Sequence, residues 1–200
     1  MIKTIGFDLG GVYLTDALGK KGWESISQTF NIDNPREKFR KRYREYMNVV
    51  NVGKRDIDDL LKDLLPPGYK DIEKIKQHIK KIQKVLYPET LEIINQLKNN
   101  YQVVLMNNEG SEWNDFRIKE FHLDKIFDKL LSSCIIGEKK PDKNYFKKAL
   151  KILKIRPEEF LFIDNTLKNV ESAKELGIQT IWFKNPAQLK RELLRKGISF

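Results

Sequence analysis

The sequence predicts an α/β fold, a doubly wound parallel sheet interrupted by an all-helical insertion, and three observations lead there. Short apolar runs alternate with amphipathic helical stretches from about residue 88 onward. Strands separated by helices pair in parallel through right-handed crossovers. A further apolar run opens the chain at Ile2 to Phe7, and between it and Tyr87 only helical patterns occur. The expected division is an α/β core from residues 1–14 and 88–200 around a helical block at 15–87.

Each element has its own signal. Ile2 to Phe7 stops at Asp8 and the Gly10-Gly11 pair, as a buried strand ending in a loop does. In PREKFRKRYREY (35–46) and beyond, Phe39, Tyr43, Tyr46, Met47 and Val50 recur at helical spacing, which leaves the arginines and lysines as a solvated face. That reading outweighs a nucleic-acid-binding stripe. LLPPGY (64–69) separates two helices. In DIEKIKQHIKKIQKVL, Ile72, Ile75, Ile79, Ile82 and Val85 repeat every three or four residues. After Pro88 come helix ETLEIINQLK, strand YQVVLMN, a helix near 112–120 and strand LLSSCII, with Cys134 as a small core residue. Helix DKNYFKKALKIL, strand FLFID, helix LKNVESAKELG ending at Gly177 and strand TIWF follow. The last helix opens at Asn185-Pro186 and closes at Gly197.

Composition narrows the function. The 200 residues carry 38 Lys+Arg against 28 Asp+Glu, a formal charge of +10. Such an excess draws anions in general, whether phosphorylated metabolites, nucleic acid or an anionic membrane. No apolar stretch approaches the roughly 20 residues of a membrane span, and MIKTIGFDLGG lacks a signal-peptide layout, so a cytoplasmic protein is expected. Cys134 is the only cysteine, which excludes an internal disulfide framework and a multi-cysteine zinc site. His78 and His122 are too few for a His-rich cluster and read as structural or solvent-facing; Trp113 reads as a packing residue. The sequence holds no signal for oligomeric state.

Ligands of doubly wound sheets bind beyond the carboxyl ends of the strands, where strand order reverses. Three strands end there in polar residues: Asp8, Asn107-Asn108 and Asp164-Asn165. With FDLGGV (7–12), GEKKPD (137–142) and FIDNTLKNVESAKELGI (162–178) in that order and spacing, the chain resembles the haloacid dehalogenase-like superfamily over residues 1–14 and about 88–184. The helical block occupies the position of the cap in that family's first subclass. The match is nearest to a subset with Asp-Leu-Gly-Gly or Asp-Leu-Gly-Asn first motifs, which includes sugar-phosphate phosphatases.

The resemblance implies a Rossmann-like core and a Mg²⁺-dependent phosphatase of small phosphorylated metabolites. Asp8 would attack phosphorus and form an aspartyl-phosphate. Mg²⁺ would be held by Asp8, the Gly10 backbone carbonyl and Asp164, with Asn165 as a further ligand candidate. Lys140 would pair with the carboxylates and stabilise charge on the phosphoryl oxygens. Asn107 stands where the family usually has Ser or Thr, and its amide donates two N–H groups. Asn107, Asn108 and Gly11 are the expected substrate-binding residues.

Three departures accompany the resemblance. The family's usual second Asp, its acid–base, is replaced by Gly10, a loss that typically costs about 10²–10⁴ in rate. Asn107 replaces a hydroxyl residue, and Asn165 replaces a second carboxylate, so Mg²⁺ affinity should fall. Asp16 and Glu109 are the carboxylates available to stand in for the missing acid. The same departures motivate an alternative: a non-hydrolysing protein of this fold that binds a phosphorylated ligand or a protein partner.

Overall fold

The computed structural model describes residues 1–199, apart from the side chain of Pro35. Strands β1 (Thr4–Phe7), β2 (Gln102–Leu105), β3 (Lys129–Leu130), β4 (Phe160–Asp164) and β5 (Gln179–Trp182) form one parallel sheet in the order β3-β2-β1-β4-β5. Between β1 and β2 lie α1 (Lys20–Phe30), α2 (Pro35–Lys38), α3 (Arg40–Val50), α4 (Ile57–Leu64), α5 (Ile72–Ile82) and α6 (Pro88–Leu97). Helices α7 (Ser111–Phe121) and α8 (Leu123–Ile126) precede β3. Then α9 (Ser133–Ile136) and α10 (Lys143–Leu153) lead to β4, α11 (Leu167–Lys174) joins β4 to β5, and α12 (Pro186–Arg195) follows β5.

Strand β1 is central. The chain builds outward through β2 and β3 on one side, then crosses to β4 and β5 on the other, so strand order reverses beside β1. Phe7 pairs with Ile163, which sets Asp8 next to Asp164 at the carboxyl edge. The two sheet faces follow from alternation along each strand. Ile5, Phe7, Val103, Leu105, Leu161 and Ile163 bury one face with residues of α6 and α12, including Ile93 and Leu193. Val104, Met106, Phe160 and Phe162 bury the other with Tyr145 and Phe146 of α10. Gly6 points to this second face, where a Cβ would lie 2.6 Å from the Phe160 ring and 2.7 Å from the Met106 sulfur. Its lack of a side chain lets those two residues close over β1.

The helices between β1 and α6 share a separate apolar cluster that includes Trp23, Ile26, Tyr43, Leu60, Leu61, Ile75 and Ile79. Trp113 of α7, 1% exposed, belongs to the same cluster and so roots the helical block on the core. Lys76 of α5 adds a polar tie, with Nζ 2.8 Å from Asp58 of α4 and 2.9 Å from Glu112 of α7. The outgoing and returning chain segments meet at an antiparallel bridge between Leu14 and Val85.

Four local expectations are corrected. The run LLSSCII is not a strand: β3 stops at Leu130, and Ser133–Ile136 forms the single turn α9. Ser132 and Ser133 turn the chain there, because their hydroxyls bond to Asn107 and to the Asn51 carbonyl rather than leaving an alternating ladder. Cys134 is consequently half-buried on α9, not a core strand residue. The helix through Ile72 ends at Ile82, and Val85 joins the Leu14 bridge instead of the helical stripe. The basic helix is divided at Phe39 into α2 and α3. Its buried side is as expected, with Tyr43 and Val50 inside and Phe39, Tyr46 and Met47 partly covered.

Candidate active site

A cleft of about 330 Å³ lies between the carboxyl edge of the sheet and the helical block. Asp8, Gly10, Asn107, Asn108, Glu109, Lys140 and Asn165 form its sheet side, and Asp16, Arg36, Tyr43 and Met47 are among the residues facing them.

At its floor, Lys140 bridges two carboxylates. Its Nζ donates to Asp8 Oδ1 at 2.7 Å and to Asp164 Oδ2 at 2.6 Å. Asp164 is fully buried; Oδ1 accepts from the Thr166 N–H at 2.7 Å, and Oδ2 also accepts from Asn169 Nδ2 at 2.9 Å. Burial works against the Lys140 charge, and Asp164 and Asp8 outweigh it, raising its pKa above the ordinary lysine value. Burial likewise pushes the Asp8 carboxyl up to about 7; Lys140 opposes that rise and Asp164 adds to it. One cation thus serves two buried acids, and the floor retains an uncompensated negative charge.

The second strand supplies two asparagines with different surroundings. Asn107 Oδ1 accepts from Ser132 Oγ at 2.7 Å, while its Nδ2 is buried without a hydrogen-bond partner among the described residues. An unpartnered buried donor costs about 1–3 kcal/mol, and it sits in the wall of the cleft that holds Asp8. Asn108 instead clamps the lysine loop. Its Oδ1 accepts from the Lys140 N–H at 2.9 Å and its Nδ2 donates to the Lys140 carbonyl at 2.8 Å.

Gly10 and Gly11 differ as sharply. A Cβ on Gly10 would meet nothing nearer than Asp16 Cβ at 3.9 Å, so the position opposite Asp8 is open. Gly11 has φ +80°, a Cβ there would lie 2.2 Å from Asn165 Nδ2, and its N–H donates to the Leu14 carbonyl at 2.7 Å. Gly11, expected to bind substrate, therefore builds the loop and has no free donor.

The two spare carboxylates are also unlike. Glu109 is buried and salt-bridged to Arg117, with Oε2 2.5 Å from Nη1, and Arg117 Nε is held by Gln83 Oε1 at 2.6 Å. Burial raises the Glu109 pKa, against the pull of Arg117 and with help from Asp16. Asp16 is exposed to the cleft and makes no ion pair among the described residues. Arg117, Asn169 and Thr166 were missed as site residues. The one signal was the i, i+4 spacing of Trp113 and Arg117, which places both on the buried side of α7.

As for the other singled-out residues, Trp113 packs edge-on against Phe116. His78 lies 2.9 Å from Ser25 Oγ, and His122 ends α7 in the left-handed conformation at φ 50°. No helix is long and apolar enough to cross a membrane among the described residues.

A family model described as a haloacid dehalogenase-like hydrolase matches residues 2–177. The chain belongs to the haloacid dehalogenase-like hydrolase family. Among the relatives of this family member, D-ribitol-5-phosphate phosphatase of Bacteroides thetaiotaomicron is 27% identical over 96% of this chain and 97% of its own. Glyceraldehyde 3-phosphate phosphatase of Pyrococcus furiosus is 34% identical over 83 residues, 41% of this chain; the match spans about a third (34%) of that relative's length. A haloacid dehalogenase family enzyme of Bacteroides thetaiotaomicron, solved in complex with magnesium and inorganic phosphate, superimposes with a TM-score of 0.75 at 21% identity. That likeness, over 92% of this chain and 96% of the other, establishes the shared α/β fold with its inserted helices.

Proposed function

We propose that this family member is a Mg²⁺-dependent phosphatase of small phosphorylated metabolites, of the sugar-phosphate kind, acting through phosphorylated Asp8. The observation that carries the reading is the pairing, in one cleft, of a lysine-held Asp8 with the unpartnered Asn107 amide. The phosphatase relatives and the magnesium- and phosphate-bound neighbour support it.

The donor set fits a hard cation. No group of three or more His, Cys, Asp or Glu suited to a metal occurs among the described residues. Asp8, the Gly10 carbonyl and the Asn165 amide oxygen, completed by water, are oxygen ligands of the kind Mg²⁺ accepts. Mg²⁺ would offset the negative charge left on the floor and that of the incoming phosphoryl group. Asp164, with its oxygens engaged by Thr166, Lys140 and Asn169, orients Lys140 in this reading rather than binding the metal directly.

In the first step Asp8 attacks phosphorus and the ester P–O bond breaks. Asn107 Nδ2 and Lys140 Nζ stabilise the charge on the phosphoryl oxygens. The leaving alkoxide needs a proton that position 10 cannot give. Asp16 supplies it in our reading: its Cβ lies beside the open space at Gly10, whereas Glu109 is locked to Arg117. The Asp16 carboxyl, which rests against Gly19 and is free of ion pairs among the described residues, turns to that space in this reading. In the second step the Asp16 carboxylate takes a proton from water as that water attacks the aspartyl-phosphate, freeing phosphate and restoring Asp8. Asn108 positions Lys140.

A comparison of leaving groups tests this assignment. Asp16→Asn should slow the first, ester-cleaving step on glycerol 3-phosphate by about 10²-fold or more. The burst of p-nitrophenol from p-nitrophenyl phosphate should slow far less, since that leaving group needs little protonation; phosphate release from the shared aspartyl-phosphate slows equally for both. Adding Gly10→Asp should restore the alkyl ester. Equal losses on both esters in that first step, or no rescue, would remove Asp16 from the acid role.

A further inference from the structure

Arg36 sits in the wall of the cleft facing the sheet edge, half-buried and without a carboxylate partner among the described residues. Asn34 Oδ1 accepts the Arg36 N–H at 3.1 Å, which fixes the start of α2. The guanidinium carbon stands 5.7 Å from the centre of the Tyr43 ring. Tyr43 is itself rigid: it is buried, its hydroxyl donates to the Leu18 carbonyl at 2.9 Å, and Trp23 packs edge-on against it at 5.9 Å. An arginine stacked on a fixed aromatic is preorganised, so little side-chain freedom is lost when it binds an anion.

The other charges of the cleft do not need Arg36. Lys140 is paired with Asp8 and Asp164, and Arg117 with Glu109. Asp16, also in the cleft wall, makes no ion pair with Arg36. A second cavity of about 440 Å³ shares Arg36 and Tyr43 with the cleft and is lined besides by Lys20, Glu37, Arg40 and Arg44. Four cations face one acid there, and Arg36 and Tyr43 belong to both spaces.

We infer that Arg36 is the anchor of a second anion subsite, so that the substrate carries, besides the phosphoryl group cleaved at Asp8, a carboxylate or second phosphate at its far end. The inference rests on the phosphatase reading for the role of Asp8 and goes beyond it in the substrate class. A carboxylate or a phosphate presents two oxygens to the guanidinium fork and accepts two parallel hydrogen bonds from it. A neutral polyol tail offers Arg36 neutral acceptors only and no charge to pair with.

Non-hydrolysable phosphonates separate this from the phosphatase reading, because their binding needs no turnover. Titration calorimetry on the intact protein with Mg²⁺ would compare propylphosphonate, whose tail is neutral, with a phosphonobutyrate and a propane bisphosphonate. Either anionic tail should bind about tenfold or more tighter than the neutral one, the size expected of a charge-assisted hydrogen bond. The stronger of the two names the tail chemistry. Arg36→Ala should erase the preference and Arg36→Lys keep part of it. Equal binding of all three ligands overturns the subsite. So does an Arg36→Ala variant that weakens all three equally, which would mean that Arg36 acts through Asp16 or the fold. Absence of p-nitrophenyl phosphate turnover in the wild-type protein would defeat the phosphatase reading alone, and the binding ratio would still decide the subsite.

Discussion

Asp8 and Lys140 stand in a charge imbalance that the rest of the floor does not correct. Two buried carboxylates share one ammonium, and Asp8 is raised to about 7 as a result of its burial, with Asp164 adding to the rise. A metal ion would favour the ionised, nucleophilic form of Asp8. Asn165 contributes no charge toward that ion. Its replacement by an isosteric acid, Asn165→Asp, keeps the packing over Gly11 and adds a negative charge at the proposed metal position. The Mg²⁺ concentration for half-maximal phosphatase activity should then fall by about tenfold, in line with the dependence of affinity on ligand charge. Titrating activity against Mg²⁺ in both proteins measures this, and an unchanged midpoint would place Asn165 away from the metal.

The roles of single residues depended on how much tertiary information each one needs. Asp8, Asn107 and Asp164 were readable because a polar residue at the end of an apolar strand has few other uses. Arg36, Arg117 and Asn169 were not, since a polar residue on a helix looks like solvated surface until the packing partners are known. The elements divide in the same way. Strands β1, β2, β4 and β5 lie in apolar runs bounded by turn residues. The short edge strand β3 has no such pattern, and the serine hydroxyls that redirect the chain into α9 find their partners just past the ends of β2 and α3, far away in sequence. Helix α7 shows the largest consequence of packing. It belongs to the sheet side by connectivity, yet Trp113 completes the apolar cluster of the inserted helices. Trp113→Ala should therefore cost about 3–5 kcal/mol, measurable by urea denaturation. Loss of less than about 1 kcal/mol would show that the helical block is held by its own core alone.

Taken together, the sheet and the inserted helices form two opposing walls with separate tasks. The sheet edge brings Asp8, Lys140 and Asn107 together at the reversal of strand order, and the inserted block places Asp16, Arg36 and Tyr43 across the cleft from them. The Leu14–Val85 bridge, the Trp113 cluster and the Lys76 ion pairs hold those walls in register. All of this serves hydrolysis only if Asp8 is the nucleophile. Phosphate release from p-nitrophenyl phosphate, measured with Mg²⁺ and with EDTA on wild-type and Asp8→Asn protein, addresses that directly. Steady turnover that requires Mg²⁺ and vanishes in Asp8→Asn is the expected result. A folded wild-type protein that releases no phosphate, or an Asp8→Asn variant as active as the wild type, would contradict it.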